Sequence, residues 1–224
     1  KSQNFDIVSA LNDNTYNAKR VLDALQKRGL SKVIYTGSVF ESNEGLGEEP
    51  LRAFSPYGLS KGFTSEIFEY LSKVRGINYG KFVIPNPFGP YEEERFTAYL
   101  VKSWFNGVTP TVQTPEYIRD NIHVSLLACS YLKFLTINNP KNVISQKVNP
   151  SGYVESQGVF AERFAKEMGS RIGVEARVIL KEQVDFSEPL IRINDHKAIL
   201  DTSDWSEESA WDEMAKFYLE RNVK

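Results

Sequence analysis

The stretch SPYGLSKGFTSEIFEYL, residues 55–71, places Tyr57 four residues before Lys61, directly after Pro56. On a helix, residues four apart share a face. A lysine ammonium beside a phenol favours the phenolate and lowers its pKa from about 10 toward the neutral range. Such a tyrosine can move a proton to or from a substrate hydroxyl while a cofactor moves the hydride. A serine or threonine hydroxyl nearby would hold the same substrate oxygen, and YTGS, residues 35–38, supplies Thr36 and Ser38. The bland alternative is a pair of ordinary residues on a solvated helix face. With 11 tyrosines in the chain, one Tyr-x-x-x-Lys is about what chance provides. The setting of the pair has to decide.

That setting is a helix between two short buried strands. KVIYTGS, 32–38, is a β-rich run between breakers and reads as a strand. Residues 39–54 are polar and glycine-rich and read as a loop, and the helix carrying Tyr57 and Lys61 runs to about Arg75. YGKFVIP, 79–85, is a second buried strand, cut off by Pro85 and Pro87. Ahead of them, residues 15–28 carry Val21, Leu22 and Leu25 at helical spacing, with Gly29 as a stop. Helix, strand, helix, strand with short connections implies a parallel sheet covered by helices. Open sheets of this kind place ligands at the carboxyl ends of their strands, where YTGS ends. Further on, residues 94–106 read as a helix and YIRDNIHV, 117–124, as a strand leading into an apolar helix, SLLACSYLKFL. A helix near 157–169, a strand EARVIL at 175–180, and an amphipathic tail helix capped by Ser206 complete the pattern.

Composition narrows the function classes. The chain has 224 residues, 41% hydrophobic and 25% charged, with a net charge of -2, so it carries no electrostatic footprint for nucleic acid. Its longest apolar runs are far shorter than the roughly 20 residues of a membrane span. The one cysteine, Cys129, excludes an internal disulfide and fits a reducing, cytoplasmic setting. The two histidines, His123 and His196, lie in unrelated contexts, which argues against a histidine metal site or a Ser-His triad, and no metal is expected. No G-x-G-x-x-G occurs. The nearest run, GLGEEP at 45–50, has Pro50 at the third glycine and no helix pattern behind it.

Taken in order, KVIYTGSVFE, SPYGLSK, VIPNPFGPYEEERFTAYL and YIRDNIHV resemble the extended short-chain dehydrogenase/reductase family, in its nucleotide-sugar epimerase/dehydratase branch. The resemblance covers essentially the whole chain. It implies an α/β fold: a partial Rossmann-type parallel sheet with helices on both faces, plus a small mixed α/β C-terminal part that binds substrate. Residues 1–88 would be the C-terminal half of an NAD(P)-binding domain, and 89–224 mainly the substrate-binding part with returning Rossmann elements. It further implies NAD or NADP as cofactor and a nucleoside-diphosphate sugar as substrate, with a homodimer left open.

Carried over residue by residue, Tyr57 matches the catalytic tyrosine and Lys61 the lysine that also holds the nicotinamide ribose. Ser38 matches the catalytic and substrate-binding hydroxyl, with Thr36 as its alternate and as a cofactor contact. Pro85 falls beside the cofactor. Asn86, in PNPFGP, matches a substrate-phosphate contact, against a plain turn-former between two prolines. Arg119, in RDNIHV, matches an arginine that grips the diphosphate, since a guanidinium fork suits phosphate oxygens. The alternative for Arg119 is a surface ion pair with Asp120. Arg192, in PLIRIND, is a candidate second phosphate contact. His123 is read as structural and Trp205 as packing. Asn14, Thr15 and Asn17 are either cofactor contacts or helix caps.

The family's first strands, glycine turn and ribose-binding acidic residue have no counterpart here, so the native polypeptide is expected to extend upstream of Lys1 and the 224-residue chain alone to be inactive. The adjacent Asp-Glu pair of the family's 4,6-dehydratases is also missing. The place reads SVFE, with Glu41 assigned to the loop, so epimerisation or ketoreduction at C4 through a 4-keto sugar is favoured over dehydration. The other class kept open is a non-catalytic NAD(P)-binding sensor or scaffold of the same fold.

Overall fold

The computed structural model describes residues 6–136, 145–197 and 205–222. The chain opens with α1 (Ile7–Thr15), whose first turn is capped by Asp6, which accepts the Val8 N–H at 3.0 Å, and with α2 (Ala18–Gln26). The single helix expected over 15–28 is thus confined to 18–26, and a second helix precedes it. Asn12, Asp13 and Asn14 are poor helix formers because their side chains compete for backbone groups. Packing of α1 against the later Tyr57 helix overrides that preference. Gly29 does end α2: it sits at φ 88°, and the next N–H, of Leu30, donates back to the Leu25 carbonyl at 3.1 Å.

Then follow β1 (Lys32–Ser38), β2 (Leu46–Gly47), α3 (Pro56–Lys73), β3 (Asn78–Ile84), β4 (Asn86–Phe88), α4 (Phe96–Phe105), β5 (Thr111–Val112), β6 (Ile118–His123) and α5 (Val124–Thr136). The remainder is β7 (Ser145–Val148), β8 (Pro150–Ser151), β9 (Tyr153–Ser156), α6 (Gln157–Ile172), β10 (Ile179–Leu180), β11 (Ile191–Ile193), β12 (His196–Lys197) and α7 (Glu207–Asn222). Ser206 caps α7 by accepting the Ser209 N–H at 3.3 Å.

β1, β3 and β7 form a parallel sheet in that order, with Ser38 in register with Ile84. Its two faces are covered by different helices. Tyr35 and Tyr79 point to α3, where Tyr35 meets Phe68 and the Tyr79 hydroxyl lies 2.9 Å from Ser65 Oγ. Phe82 points the other way, to Tyr131 and Phe134 of α5. The fold is therefore the α/β arrangement anticipated, a parallel sheet with helices on both faces. β7 adds a strand that residues 1–88 do not supply.

A second sheet runs β2-β11-β6-β4, with β9 antiparallel to β6. Part of the polar stretch 39–54 is therefore strand: β2 pairs with β11. The glycines of GLG serve this close approach. A Cβ on Gly47 would fall 2.2 Å from the Ile191 carbonyl oxygen, and one on Gly45, at φ 74°, 2.2 Å from that of Ile193. The expected strand at 175–180 shrinks to Ile179–Leu180, two exposed residues paired with β5. The main apolar core lies between α4, α6, α7 and β4, where Phe88, Trp104, Phe160, Phe164, Met168, Trp211 and Met214 meet. Among the described residues no helix is long and apolar enough to cross a membrane.

Candidate active site

Ser38 closes β1 with its residue only 3% exposed. Its Oγ accepts the Phe40 N–H at 3.2 Å, so the chain turns immediately after the strand. The next helix starts against that turn. Ser55 caps α3 by accepting the Gly58 N–H at 3.2 Å, and Pro56 occupies the first turn, where its missing N–H costs nothing. A Cβ on Gly58 would sit 2.1 Å from the Phe40 carbonyl oxygen, so the helix start and the strand exit are in contact. This brings Tyr57 to Ser38.

Tyr57 is 39% exposed. Burial of the rest of the ring raises its pKa; the Ser38 hydroxyl works against that rise, the Glu41 carboxylate adds to it, and Arg95 lowers it. The Lys61 ammonium, expected beside the Tyr57 phenol, is held by groups of β1. It donates to the Thr36 carbonyl and lies over the Tyr35 ring, 4.4 Å from the centroid. Burial lowers the Lys61 pKa, with Glu41 opposing and Lys81 assisting. Tyr35 in turn donates its hydroxyl to the Lys61 carbonyl at 2.9 Å, which fixes the middle of the first two turns of α3 on β1.

Ser38, Tyr57, Lys61 and Thr36 are thus gathered at the carboxyl end of β1. Thr36 is exposed, with its hydroxyl 3.5 Å from the Tyr131 hydroxyl of α5. That leaves Ser38, not Thr36, as the hydroxyl facing Tyr57. Pro85 is buried one residue past Ile84, the register partner of Ser38, so it too lies at this edge.

The predicted phosphate contacts lie on the second sheet. Arg119 on β6 is in register with Arg192 on β11, and Asn86 on β4 with Asn121 on β6. In-register residues of parallel strands share a face, as do residues two apart on one strand. Asn86, Arg119 and Arg192 therefore belong to one face. Arg119 is 3% exposed and does not pair with Asp120. One guanidinium nitrogen donates to the carbonyls of Ile118, Pro189 and Leu190, and the other to Glu188 at 2.9 Å. The guanidinium also stacks over Tyr117. Asp120 points elsewhere and accepts the N–H groups of Gly152 at 2.8 Å and Asn194 at 3.2 Å.

Arg192 is 1% exposed and donates to the carbonyls of Glu44 and Arg52, clamping the loop that leads to α3. Burial, together with the like charge of Arg119, depresses its pKa. Asn86 donates to the Asp120 carbonyl at 3.4 Å.

The remaining candidates lie on α1, at the head of α2, at the end of β6 and ahead of α7. Asn14 donates to Thr64 Oγ1 at 3.5 Å, Thr15 to the Leu11 carbonyl at 2.7 Å, and Asn17 heads α2 without a side-chain cap bond. Trp205 donates its indole N–H to Ser125 Oγ at 2.8 Å, and Ser125 Oγ lies 2.7 Å from His123 Nδ1. Sequence reasoning missed Glu41. A lone carboxylate in a polar loop carries no signal of its own, yet here it is fully buried and accepts the Ser38 backbone N–H at 2.7 Å.

The chain was compared with known proteins. A family model described as NAD dependent epimerase/dehydratase family matches residues 2–144. Comparison with curated protein sequences gives no match. Among solved structures, a UDP-glucuronic acid 4-epimerase from Bacillus cereus in complex with UDP-glucuronic acid and NAD aligns with a TM-score of 0.71 at 17% identity, over 94% of this chain and 68% of the other. A UDP-N-acetylglucosamine 4-epimerase from Methanobrevibacter ruminantium in complex with UDP-N-acetylmuramic acid aligns at 0.69 and 17% identity, over 94% and 70%. A UDP-glucose 4-epimerase from Thermotoga maritima with UDP-glucose aligns at 0.66 and 17%, over 100% and 76%. At these identities the likeness establishes the fold.

Proposed function

From the premise that the chain belongs to the NAD-dependent epimerase/dehydratase family, we propose that it serves an NAD(P)-dependent nucleotide-sugar epimerase or ketoreductase acting at C4. The observation that carries this reading is the meeting of Ser38 and Tyr57 at the carboxyl end of a parallel strand, on a helix that also bears Lys61. Structural neighbours that bind UDP-sugars, some together with NAD, add support. In this reading residues 1–88 belong to the cofactor side and 89–224 mainly to the substrate side.

The residues fit one part of NAD or NADP. Lys61, Thr36, Tyr57 and Pro85 offer an ammonium, a hydroxyl, a phenol and a buried apolar wall at one sheet edge, as a nicotinamide riboside requires. The bound cofactor would accept and return the hydride. Tyr57, as the phenolate, takes the proton of the sugar 4-hydroxyl as the hydride leaves C4, and as the phenol returns it to the 4-keto oxygen when the hydride comes back. Ser38 holds the same oxygen, and Lys61 can leave the Thr36 carbonyl to hold ribose hydroxyls. Arg119 binds a phosphate oxygen in place of Glu188, with Asn86 nearby and Arg192 as the charge behind it. Glu41 is tied up by the Ser38 N–H and so is a poor candidate for the carboxylate of a dehydratase.

One observation favours the sensor or scaffold class as a second reading. Both arginines and Lys61 donate to internal partners in place of a ligand, an arrangement that suits a structural role.

Calorimetric titration with a panel of nucleoside-diphosphate sugars tests the substrate assignment. Arg119→Ala in the full-length native protein should weaken binding of the sugar nucleotide by about 2 to 4 kcal/mol, the scale for truncating one partner of a buried charge pair, and leave NAD or NADP binding nearly unchanged. Equal affinity in parent and variant refutes the assignment.

A further inference from the structure

Beneath the catalytic helix lies a closed group of charges that the proposed chemistry does not use. Glu41 is 0% exposed. One carboxylate oxygen accepts the Ser38 N–H at 2.7 Å, and the other lies 2.6 Å from the Lys81 ammonium of β3. Lys81 also contacts Glu44 at 2.7 Å, and Glu44 reaches Lys147 of β7 at 3.1 Å. Two carboxylates and two ammoniums thus neutralise one another between the loop after β1 and the strands β3 and β7. A buried charge survives only when paired, and removing one member leaves the other exposed to the full desolvation cost. The sequence makes room for the pair. A Cβ on Gly37 of YTGS would lie 2.9 Å from Lys81 Cε and 3.0 Å from Glu41 Oε1. At Gly62, one residue past Lys61, α3 lies beside the Glu41 side chain: a Cβ there would stand 3.8 Å from Glu41 Cβ, an ordinary contact.

We infer that Glu41 is a positioning residue for Ser38, Tyr57 and Lys61: one oxygen fixes the backbone that carries the Ser38 hydroxyl, and the other holds Lys81 so that the charge facing Tyr57 and Lys61 stays balanced. The inference rests on Tyr57 and Lys61 being the reacting pair. The groups that face them are few and named. Tyr57 faces Ser38 from β1, Glu41 from the following loop and Arg95 ahead of α4. Lys61 faces Glu41, Lys81 from β3, and the Tyr35 ring of β1. Glu41 raises the pKa of both Tyr57 and Lys61, whereas Glu44 pairs with Lys81 and Lys147.

The test follows the phenol directly and needs no substrate, so it stands even if no nucleotide sugar is turned over. The protein is labelled with 13Cζ-tyrosine, the Tyr57 signal is assigned by its loss in Tyr57→Phe, and the titration is repeated in Glu41→Gln. Glutamine keeps an acceptor for the Ser38 N–H and removes the charge. The Tyr57 midpoint should move to lower pH, while Glu44→Gln leaves it in place. An unmoved midpoint in folded Glu41→Gln protein, or an equal shift in Glu44→Gln, overturns the inference. If Glu41→Gln fails to fold, Lys81→Met supplies the opposite perturbation. It leaves the Glu41 charge uncompensated, so the midpoint should move to higher pH, and a midpoint that stays or falls overturns the inference.

Discussion

Replacing His123 by asparagine isolates one buried imidazole from the rest of the pH dependence of stability. His123 ends β6, is 2% exposed, and stands edge-on to the Phe88 ring with centroids 5.4 Å apart. Its Nδ1 accepts the Ser125 N–H at 3.2 Å and lies 2.7 Å from Ser125 Oγ. Burial pushes its pKa from 6.5 down to about 4. Because the folded pKa lies below the unfolded one, the neutral ring contributes stability that is complete above about pH 6.5 and is lost as pH falls toward about 4. Linkage for a single site with these two values gives a loss of about 2 to 3 kcal/mol between roughly pH 7.5 and roughly pH 4.5. Asparagine offers an acceptor near the Nδ1 position but does not titrate. The neighbouring Asp120, buried and with its carboxyl raised, has the opposite sign and cancels in the comparison. Urea unfolding followed by circular dichroism at both pH values measures the difference. The parent should lose about 2 to 3 kcal/mol more than His123→Asn on acidification. Equal losses would mean that His123 does not carry this pH dependence.

Other substitutions probe the frame that holds the site. Gly58→Ala drives a methyl group toward the Phe40 carbonyl, 2.1 Å from where Cβ would stand, and should cost about 1 to 3 kcal/mol in urea unfolding; an unchanged midpoint would show that α3 and the strand exit are not in contact. Phe164→Ala opens a hole among Phe88, Trp104 and Trp211 and should cost about 3 to 5 kcal/mol by the same assay. A loss under about 1 kcal/mol would place the core elsewhere. Arg192→Met removes the clamp on the Glu44 and Arg52 carbonyls, so protease cleavage between residues 44 and 52 should speed up; an unchanged cleavage rate counts against the clamp.

What was legible in the sequence followed from strong local signals. KVIYTGS and YGKFVIP are dense β-rich runs between breakers, and they became β1 and β3 almost to the residue. Ser55 and Pro56 mark the start of α3, and the ordered motifs around Ser38, Tyr57 and Lys61 named the elements that bring them together. What was hidden depended on partners far along the chain. β2, β9 and β11 are two to four residues long and exist because they pair with one another or with β6. Nothing local to GLGEEP announces a strand; its glycines make sense only against the β11 backbone. The spacing of Tyr57 and Lys61 gave their shared helix but not the direction of the ammonium, which the Thr36 carbonyl and the Tyr35 ring decide. Glu41 was misjudged for the same reason, since the Lys81 that lets it be buried lies 40 residues away in a strand read as apolar.

The central claim is that Tyr57 moves a proton at C4 of a nucleotide sugar. The most direct measurement supplies the full-length native protein with NAD or NADP and a panel of UDP-sugars and follows C4 inversion or oxidation by proton NMR, for the parent and for Tyr57→Phe. The phenylalanine ring preserves packing and removes only the ionisable oxygen. The prediction is turnover of at least one sugar by the parent and a fall of about 10²-fold or more in the variant, within the range that a positioned acid–base group contributes. Turnover in Tyr57→Phe within about a factor of two of the parent, or no reaction at C4 with any sugar nucleotide that binds, would contradict it.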